Sequence, residues 1–598
     1  MHGWRKALAA VMSVGGMTAV AAGGAATSLP TIRVADGLIV QLRQAPSHEG
    51  MARVRAQSAG VIDASTHETA RWDRVVRAAG VGPQALPQRQ AVGRAAFRLD
   101  YGRPLVPQEA QALAERLREL PDVEWVVPNE REQRLAASPT PTDPMFGQQW
   151  WLQPATGSNA HALEARLRGV PGLLRAWLQR TEGALVAVLD TGVTAHPELD
   201  GRLLPGYDMV SRPEVAADGD GRDADPSDPG DAISAVDRAG SAFANCTQQD
   251  STWHGTIVAG ILAATVNNGT GVAGVSWDAR VLPVRVAGKC GADVADIIDG
   301  MRWAAGLPVS DGAGGFLPAN PNPVKVVNVS YGGNAPCNAA YQSAIDELWN
   351  AGVVVVASAG NDAAAVRRPA NCARVISVAA LNRDGFKASY SSFGPEVRIA
   401  TVGGDDGSGA WGAILGDGGL LSIYNDGRQA PGAGNYARHF GTSYATPVVA
   451  GTVALMRAAN PQLTPQQVLD ALAATARPHV ASAAIAACNI ANPGRCICTP
   501  ATCGAGILDA EQALLYAAAP QSYVAPARGA EIVDNAEVAR AAALGPDRAA
   551  PSSVATPAPV SGGTDAAAGG GGGGGGAFGL EALLGLLAMT LALRDRRG

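Results

Sequence analysis

Three short segments set reactive side chains where chemistry is easily arranged. Val186-Ala187-Val188-Leu189-Asp190-Thr191-Gly192-Val193 puts a carboxylate at the carboxyl end of an apolar run, the place where sites form in open α/β sheets. His254-Gly255-Thr256-Ile257-Val258-Ala259-Gly260 puts an imidazole at the head of an apolar stretch, beside a glycine that lets a helix begin close to its neighbours. Gly441-Thr442-Ser443-Tyr444-Ala445-Thr446-Pro447 puts a hydroxyl at the start of an apolar helix expected over Val448–Ala458, where free N–H groups and a partial positive charge collect. Singly, each has an ordinary explanation: a turn former, a core or surface histidine, an N-cap. Together they supply a nucleophile, a base and an orienting acid, the set needed for acyl transfer.

These segments resemble the signature motifs of the subtilisin-like serine proteases, the subtilases, in the chain order Asp190, His254, Ser443. Ala357-Ser358-Ala359-Gly360-Asn361-Asp362 resembles the family's oxyanion-hole segment, with Asn361 as the donor. Asn328-Val329-Ser330-Tyr331-Gly332-Gly333 resembles the strand that lines the substrate pocket, with Ser330, Tyr331, Gly332 and Gly333 as the binding residues. The likeness spans roughly residues 145–515. It implies a serine endopeptidase that cuts proteins through an Asp-His-Ser triad, is made as a zymogen and uses no cofactor for the chemistry. Two readings stand beside it: a processing protease for a dedicated partner, and an inactive binding protein on the same fold. The glycine-rich pocket strand suggests an open pocket and broad specificity. Two positions depart from the family pattern. Ile257 replaces a second histidine, and Tyr444 replaces the methionine that follows the nucleophile, which removes an oxidation-prone side chain and narrows the leaving-group side.

Elements must hold these groups. Leu185–Leu189, Val281–Val286, Val324–Val329, Val353–Ala357 and Val375–Ala379 are short apolar runs without alternation, as expected of strands buried on both faces. Helical stretches such as Asp293–Trp303 and Ala339–Trp349 lie between them. Alternating elements predict an α/β domain over 145–520, which the resemblance makes a three-layer subtilisin-like domain with a mostly parallel central sheet. Residues 31–140 read as a small α+β unit. Its expected elements are strands Gly37–Arg43, Ala95–Leu99 and Val123–Val127 and a helix Pro107–Leu120. It resembles the subtilase propeptide, an intramolecular inhibitor, with Pro121–Pro128 matching the propeptide's late strand and autocleavage expected between about Arg134 and Asp143.

The ends read as targeting segments. Arg5, Lys6 and the apolar Ala7–Ala22 form a secretory signal over 1–26. Residues 521–568, rich in Ala, Pro and Ser, read as a disordered linker. A glycine run (569–576), an apolar stretch (577–593) and a basic end with Arg594, Arg596 and Arg597 follow. That layout resembles the GlyGly-type sorting tails of Gram-negative bacteria. It implies transient membrane tethering, removal by a sorting protease, and a secreted or surface location.

Asp218, Asp220, Asp223, Asp225 and Asp228 crowd one stretch, and oxygen ligands at such spacing suit Ca²⁺. The resemblance implies a second structural calcium site, built from Asp143, Glu198, Asn268 and the carbonyls of Thr270 and Val272. Eight cysteines in an exported chain favour disulfides, and eight allow 105 connectivities. Placement on the family's fold implies Cys246–Cys290 and Cys337–Cys372, with Cys488, Cys496, Cys498 and Cys503 pairing among themselves.

Composition bounds the rest. The 598 residues are 47% apolar and 17% charged, enough for a large core and too apolar for a chain disordered throughout. A net charge of −6 gives no general attraction to nucleic acid, and a monomer acting on protein or peptide substrates is expected.

Overall fold

Alternation along Ala35–Leu42 makes a strand with one buried side, and the N-terminal unit of the computed structural model is built on it. Residues 35–43, 64–80, 87–92, 96–130, 140–153, 169–179 and 184–544 are described by the structure. Strand β1 (Ala35–Leu42) pairs antiparallel with β3 (Ala96–Asp100) and β4 (Val123–Glu130), and β2 (Gln88–Val92) completes the order β2-β3-β1-β4. Helices α1 (Ala64–Ala79) and α2 (Pro107–Arg118) share a core with this sheet, around Leu38, Val40, Trp72, Val75, Leu113 and Leu117. The unit is α+β, as expected, with two additions. Among its described side chains, helix α1 buries the narrow stripe Trp72, Val75 and Ala79, and β2 is exposed along its whole length. Neither carries a strong apolar signal.

The five apolar runs farther along become β5 (Leu185–Asp190), β7 (Arg280–Arg285), β8 (Val326–Val329), β9 (Val354–Ser358) and β10 (Val375–Leu381), and two strands outside those runs, β11 (Ile399–Val402) and the short β6 (Tyr207–Asp208), join them. They form one seven-stranded sheet in the order β11-β10-β9-β8-β5-β7-β6, with every pairing parallel. Helix α3 (His254–Ala263) is buried from Gly255 onward, and α6 (Thr442–Ala459) from Thr442 to Met456. Helices this apolar on all sides need protein around them, and these two pack on each other and on the sheet. Helices α4 (Val294–Ala304) and α5 (Ala339–Asn350) are amphipathic; α5 buries Tyr341, Ala344, Ile345 and Leu348 and is capped by Asn338. An antiparallel ribbon of β12 (Leu420–Asn425) and β13 (Gly434–His439) leads into α6. Helices α7 (Pro465–Thr475) and α8 (Ala510–Ala518) follow.

The disulfides are Cys246–Cys290, Cys337–Cys372, Cys488–Cys496 and Cys498–Cys503. The expected linker is corrected over its described part, 521–544. Val533 N–H bonds to the Ala481 carbonyl at 2.8 Å, and α9 (Ala536–Ala542) places Val538 and Ala541 in the same core as the sheet. An Ala-rich composition conceals two buried valines. The expected signal segment, residues 134–139 of the cleavage window and the tail from 545 lie outside the described residues. No described helix is long and apolar enough to cross a membrane.

Candidate active site

Strand β5 lies between β8 and β7, so Asp190 at its carboxyl end is buried. Its Oδ1 accepts the Thr191 N–H at 2.9 Å and lies 2.7 Å from His254 Nδ1. That approach depends on Gly255. A Cβ there would stand 2.1 Å from the Gly192 carbonyl oxygen and 3.1 Å from the Asp190 Cβ. Gly255 N–H donates to Thr191 Oγ1 at 3.0 Å, and the Thr191 hydroxyl donates to buried Asp228 at 2.6 Å. Trp253, immediately before the histidine, is buried with φ at +51°, a left-handed conformation that is costly for a bulky residue. Its indole N–H donates to the Gly427 carbonyl at 2.7 Å. Thr252 donates through its N–H and hydroxyl to buried Asp231 at 2.6 and 2.7 Å.

Burial works against the His254 imidazolium. The charge and hydrogen bond of Asp190 outweigh it, with help from Asp231 and Asp228, and hold the pKa above the usual 6.5. Buried His439 goes the other way: desolvation, then the nearby His254, push it down to about 3 and keep it neutral.

Ser443 sits in the first turn of α6. Pro447 has no N–H to give to the carbonyl four residues before it. The Ser443 carbonyl is instead served by the Ser330 hydroxyl at 2.9 Å, and Ser443 Oγ donates to the Ser330 carbonyl at 3.1 Å. This reciprocal pair fastens the segment after β8 to the head of α6. Asn361 follows β9, and its Oδ1 accepts the Thr442 N–H at 2.9 Å and the Thr442 hydroxyl at 2.7 Å. With Oδ1 so engaged, the amide nitrogen is the free end; a Cβ on Gly441 would lie 3.5 Å from it. Tyr444 N–H and Ala445 N–H go to the Gly441 carbonyl, so Ser443 N–H is the first-turn donor left over.

The fold therefore brings Asp190, His254, Ser443, Asn361 and Ser330 to one place. Tyr331 meets His254 edge-on at 5.5 Å between ring centroids, and Tyr444 lies 5.4 Å from it on another side. Gly332 and Gly333 lie against the Arg367–Arg368 segment, with Gly333 N–H donating to the Arg368 carbonyl at 3.0 Å. Sequence reasoning passed over Thr191, Trp253 and His439, and read Asp231 only as part of the acidic stretch; Thr191 and Trp253 had a signal, as chain neighbours of Asp190 and His254.

Asp143 and Glu198 are both buried and are joined through Asn268. Asn268 N–H donates to Asp143 at 3.3 Å and Asn268 Nδ2 to Glu198 at 2.9 Å; Val272 N–H and the Tyr436 hydroxyl also donate to Glu198, at 2.9 and 3.0 Å. Burial raises the Glu198 pKa, and the Asp143 charge adds to it. Their donors are neutral groups. Two carboxylates buried close together and bridged by Asn268 are hard oxygen donors of the kind Ca²⁺ takes. The acidic stretch behaves differently. Asp218 pairs with Arg285 and Asp228 is taken by Thr191 and Gly230, while Asp223 and Asp225 accept backbone N–H groups two residues on. Asp220 is exposed. These five carboxylates do not converge, and among the described residues no three His, Cys, Asp or Glu side chains group as a metal site.

Residues 181–510 match the family model described as the subtilase family. The chain is 39% identical over 446 residues to the extracellular protease of Xanthomonas campestris pv. campestris, covering 74% of this chain and 65% of that one. It is 38% identical over 374 residues to the extracellular basic protease of Dichelobacter nodosus, covering 62% and 57%. It thus spans less than two thirds of either relative. A solved structure described as proteases from Pseudoalteromonas arctica matches with a TM-score of 0.53 and 41% identity, over 63% of this chain and 99% of that one.

Proposed function

Because this chain belongs to the subtilase family, we propose that it is a secreted serine endopeptidase acting on proteins through Asp190, His254 and Ser443. The observation that carries the reading is the 2.7 Å Asp190–His254 contact at the head of α3, beside a serine in the first turn of α6. Ser443 Oγ leaves the Ser330 carbonyl, attacks the peptide carbonyl carbon and gives its proton to His254 Nε2. Asp190 holds the tautomer with Nδ1 protonated and stabilises the imidazolium. The Asn361 amide and Ser443 N–H receive the developing oxyanion. His254 then protonates the leaving amine, and water hydrolyses the acyl-enzyme by the same steps in reverse order.

Residues 31–140 act as the propeptide and intramolecular inhibitor, released by autocleavage. Their separate core and antiparallel sheet support this reading. Asp143, Glu198, Asn268, Thr270 and Val272 would hold a calcium ion, whose charge would offset the buried carboxylates. The names of the two extracellular relatives support secretion, and the tail from 569 is read as the substrate of a sorting protease. The working form is a monomer.

The test uses full-length protein and its Ser443→Ala variant, followed by intact mass and by labelling with a fluorophosphonate. Wild type is expected to shed its N-terminal unit, take up one label and digest casein, while the variant stays whole and unlabelled. A folded wild type that stays intact, unlabelled and inert overturns the reading and favours a binding role.

A further inference from the structure

Two glycine-sided segments flank the reacting serine. Ser330–Gly333 is fastened to Ser443 through Ser330, and Ala359–Asn361 is fastened to Thr442 through Asn361. The slot between them adjoins the place where the attacked carbonyl must lie, so the side chain of the residue supplying that carbonyl points into it. The glycine-rich strand Ser330–Gly333 suggested an open slot. The structure fills it. Arg367 N–H donates to the Ala359 carbonyl at 3.0 Å, and Arg368 N–H to the Gly333 carbonyl at 3.2 Å, which ties the Arg367–Arg368 segment to both walls. A Cβ on Gly360, where φ is +112°, would stand 2.9 Å from Arg367 Cδ and 3.0 Å from Cγ. A Cβ on Gly332 would stand 3.8 Å from Arg367 Cβ. The arginine stem therefore occupies the room that Gly360 leaves, while the Arg368 carbonyl oxygen, 2.5 Å from a Cβ on Gly332, takes up the room on the other side.

Its guanidinium makes an ion pair with Asp362, the residue after the oxyanion donor, and both side chains are partly exposed. Arg367 Nε is buried without an acceptor. The pair thus leaves a buried donor unmet, and that is costly unless a ligand supplies the acceptor. Resting on the protease reading above, we propose that Arg367 is the primary specificity determinant. It directs cleavage to bonds that follow a residue whose side chain ends in an acceptor oxygen, glutamate or glutamine, and it refuses lysine and arginine. An acidic side chain competes with Asp362 for the guanidinium, a basic one meets like charge, and a large aromatic one finds the slot occupied.

The test is kcat/KM on a set of otherwise identical peptides with Glu, Gln, Lys or Phe before the cut. Wild type is expected to prefer Glu and Gln over Lys by about tenfold or more, the scale of one charge-assisted hydrogen bond made or refused. Arg367→Gly is expected to lose that preference and to improve about tenfold on Phe as the slot opens. Asp362→Asn is expected to sharpen the Glu preference. Arg367→Gln keeps the stem and serves if the glycine variant does not fold; it should lose Glu selectivity without improving on Phe. Fluorophosphonate labelling of each protein separates the outcomes. A wild type that labels and cuts, but takes Lys or Phe as readily as Glu, overturns this proposal and leaves the protease reading standing. So does an unchanged ranking in the Arg367 variants. A wild type that neither labels nor cuts any peptide overturns both.

Discussion

The Asn361 side chain separates its two ends by function. Its oxygen is spent on Thr442, and in the proposed mechanism its nitrogen meets a charge that appears only during reaction. Asn361→Leu is therefore expected to lower kcat by about 10²–10³ while KM changes little, measured on any good peptide substrate. In the proposed mechanism His254 sets the pH response. Its pKa is raised, so the proton stays on the base to a higher pH than on a free imidazole. Activity is lost as pH falls through that value. The acid limb of kcat/KM should have its midpoint above 6.5, and a midpoint well below that would contradict the Asp190 contact as the dominant influence.

At the scale of elements, the triad is a question of how closely α3 and α6 reach β5 and β8. Gly255 lets α3 begin against Gly192 and Asp190. Adding one methyl group pushes helix from strand. Gly255→Ala is expected to cost about 1–3 kcal/mol of stability and to slow fluorophosphonate labelling, read by thermal melting and by label uptake. Pro447 works in the opposite sense. It withdraws one N–H from α6 and so frees the Ser443 carbonyl for Ser330. A proline in this helix thereby couples the nucleophile to the wall of the substrate slot.

For the molecule as a whole, stability is expected to depend on two parts remote from the triad. Helix α9 buries Val538, whereas neighbouring Ile532 is exposed. On the Ser443→Ala background, Val538→Asp should lower the melting temperature by burying an unpaired charge, and Ile532→Asp should leave it nearly unchanged. The Asp143–Glu198 pair supplies the second. Calcium at 100 times its dissociation constant should add about 2.7 kcal/mol, and chelation should remove it. Glu198→Gln should abolish that response in thermal melts, whereas Asp218→Asn, which changes a carboxylate held by Arg285, should not.

Much of the fold was legible because buried parallel strands demand unbroken apolar runs. The edges of β5, β8, β9 and β10 fell within a few residues of those runs. Helix α1, strand β2 and helix α9 were missed because a narrow stripe or an exposed edge leaves little hydrophobic signal. The convergence of Asp190, His254, Ser443 and Asn361 was legible for a different reason: each lies at the end of an element, inside a short segment whose residues must all suit one backbone path. By itself, then, the sequence determined which groups are available for acyl transfer and the order of the elements that carry them. Tertiary structure alone decided what stands between them. Arg367 lies beside Gly360, Asp228 accepts the Thr191 hydroxyl rather than joining an acidic cluster, and Asp143 meets Glu198 through Asn268. The reason is physical. A strand end or helix start is specified by neighbours in the chain, whereas a contact across a pocket depends on distant segments whose closeness only the packed core enforces.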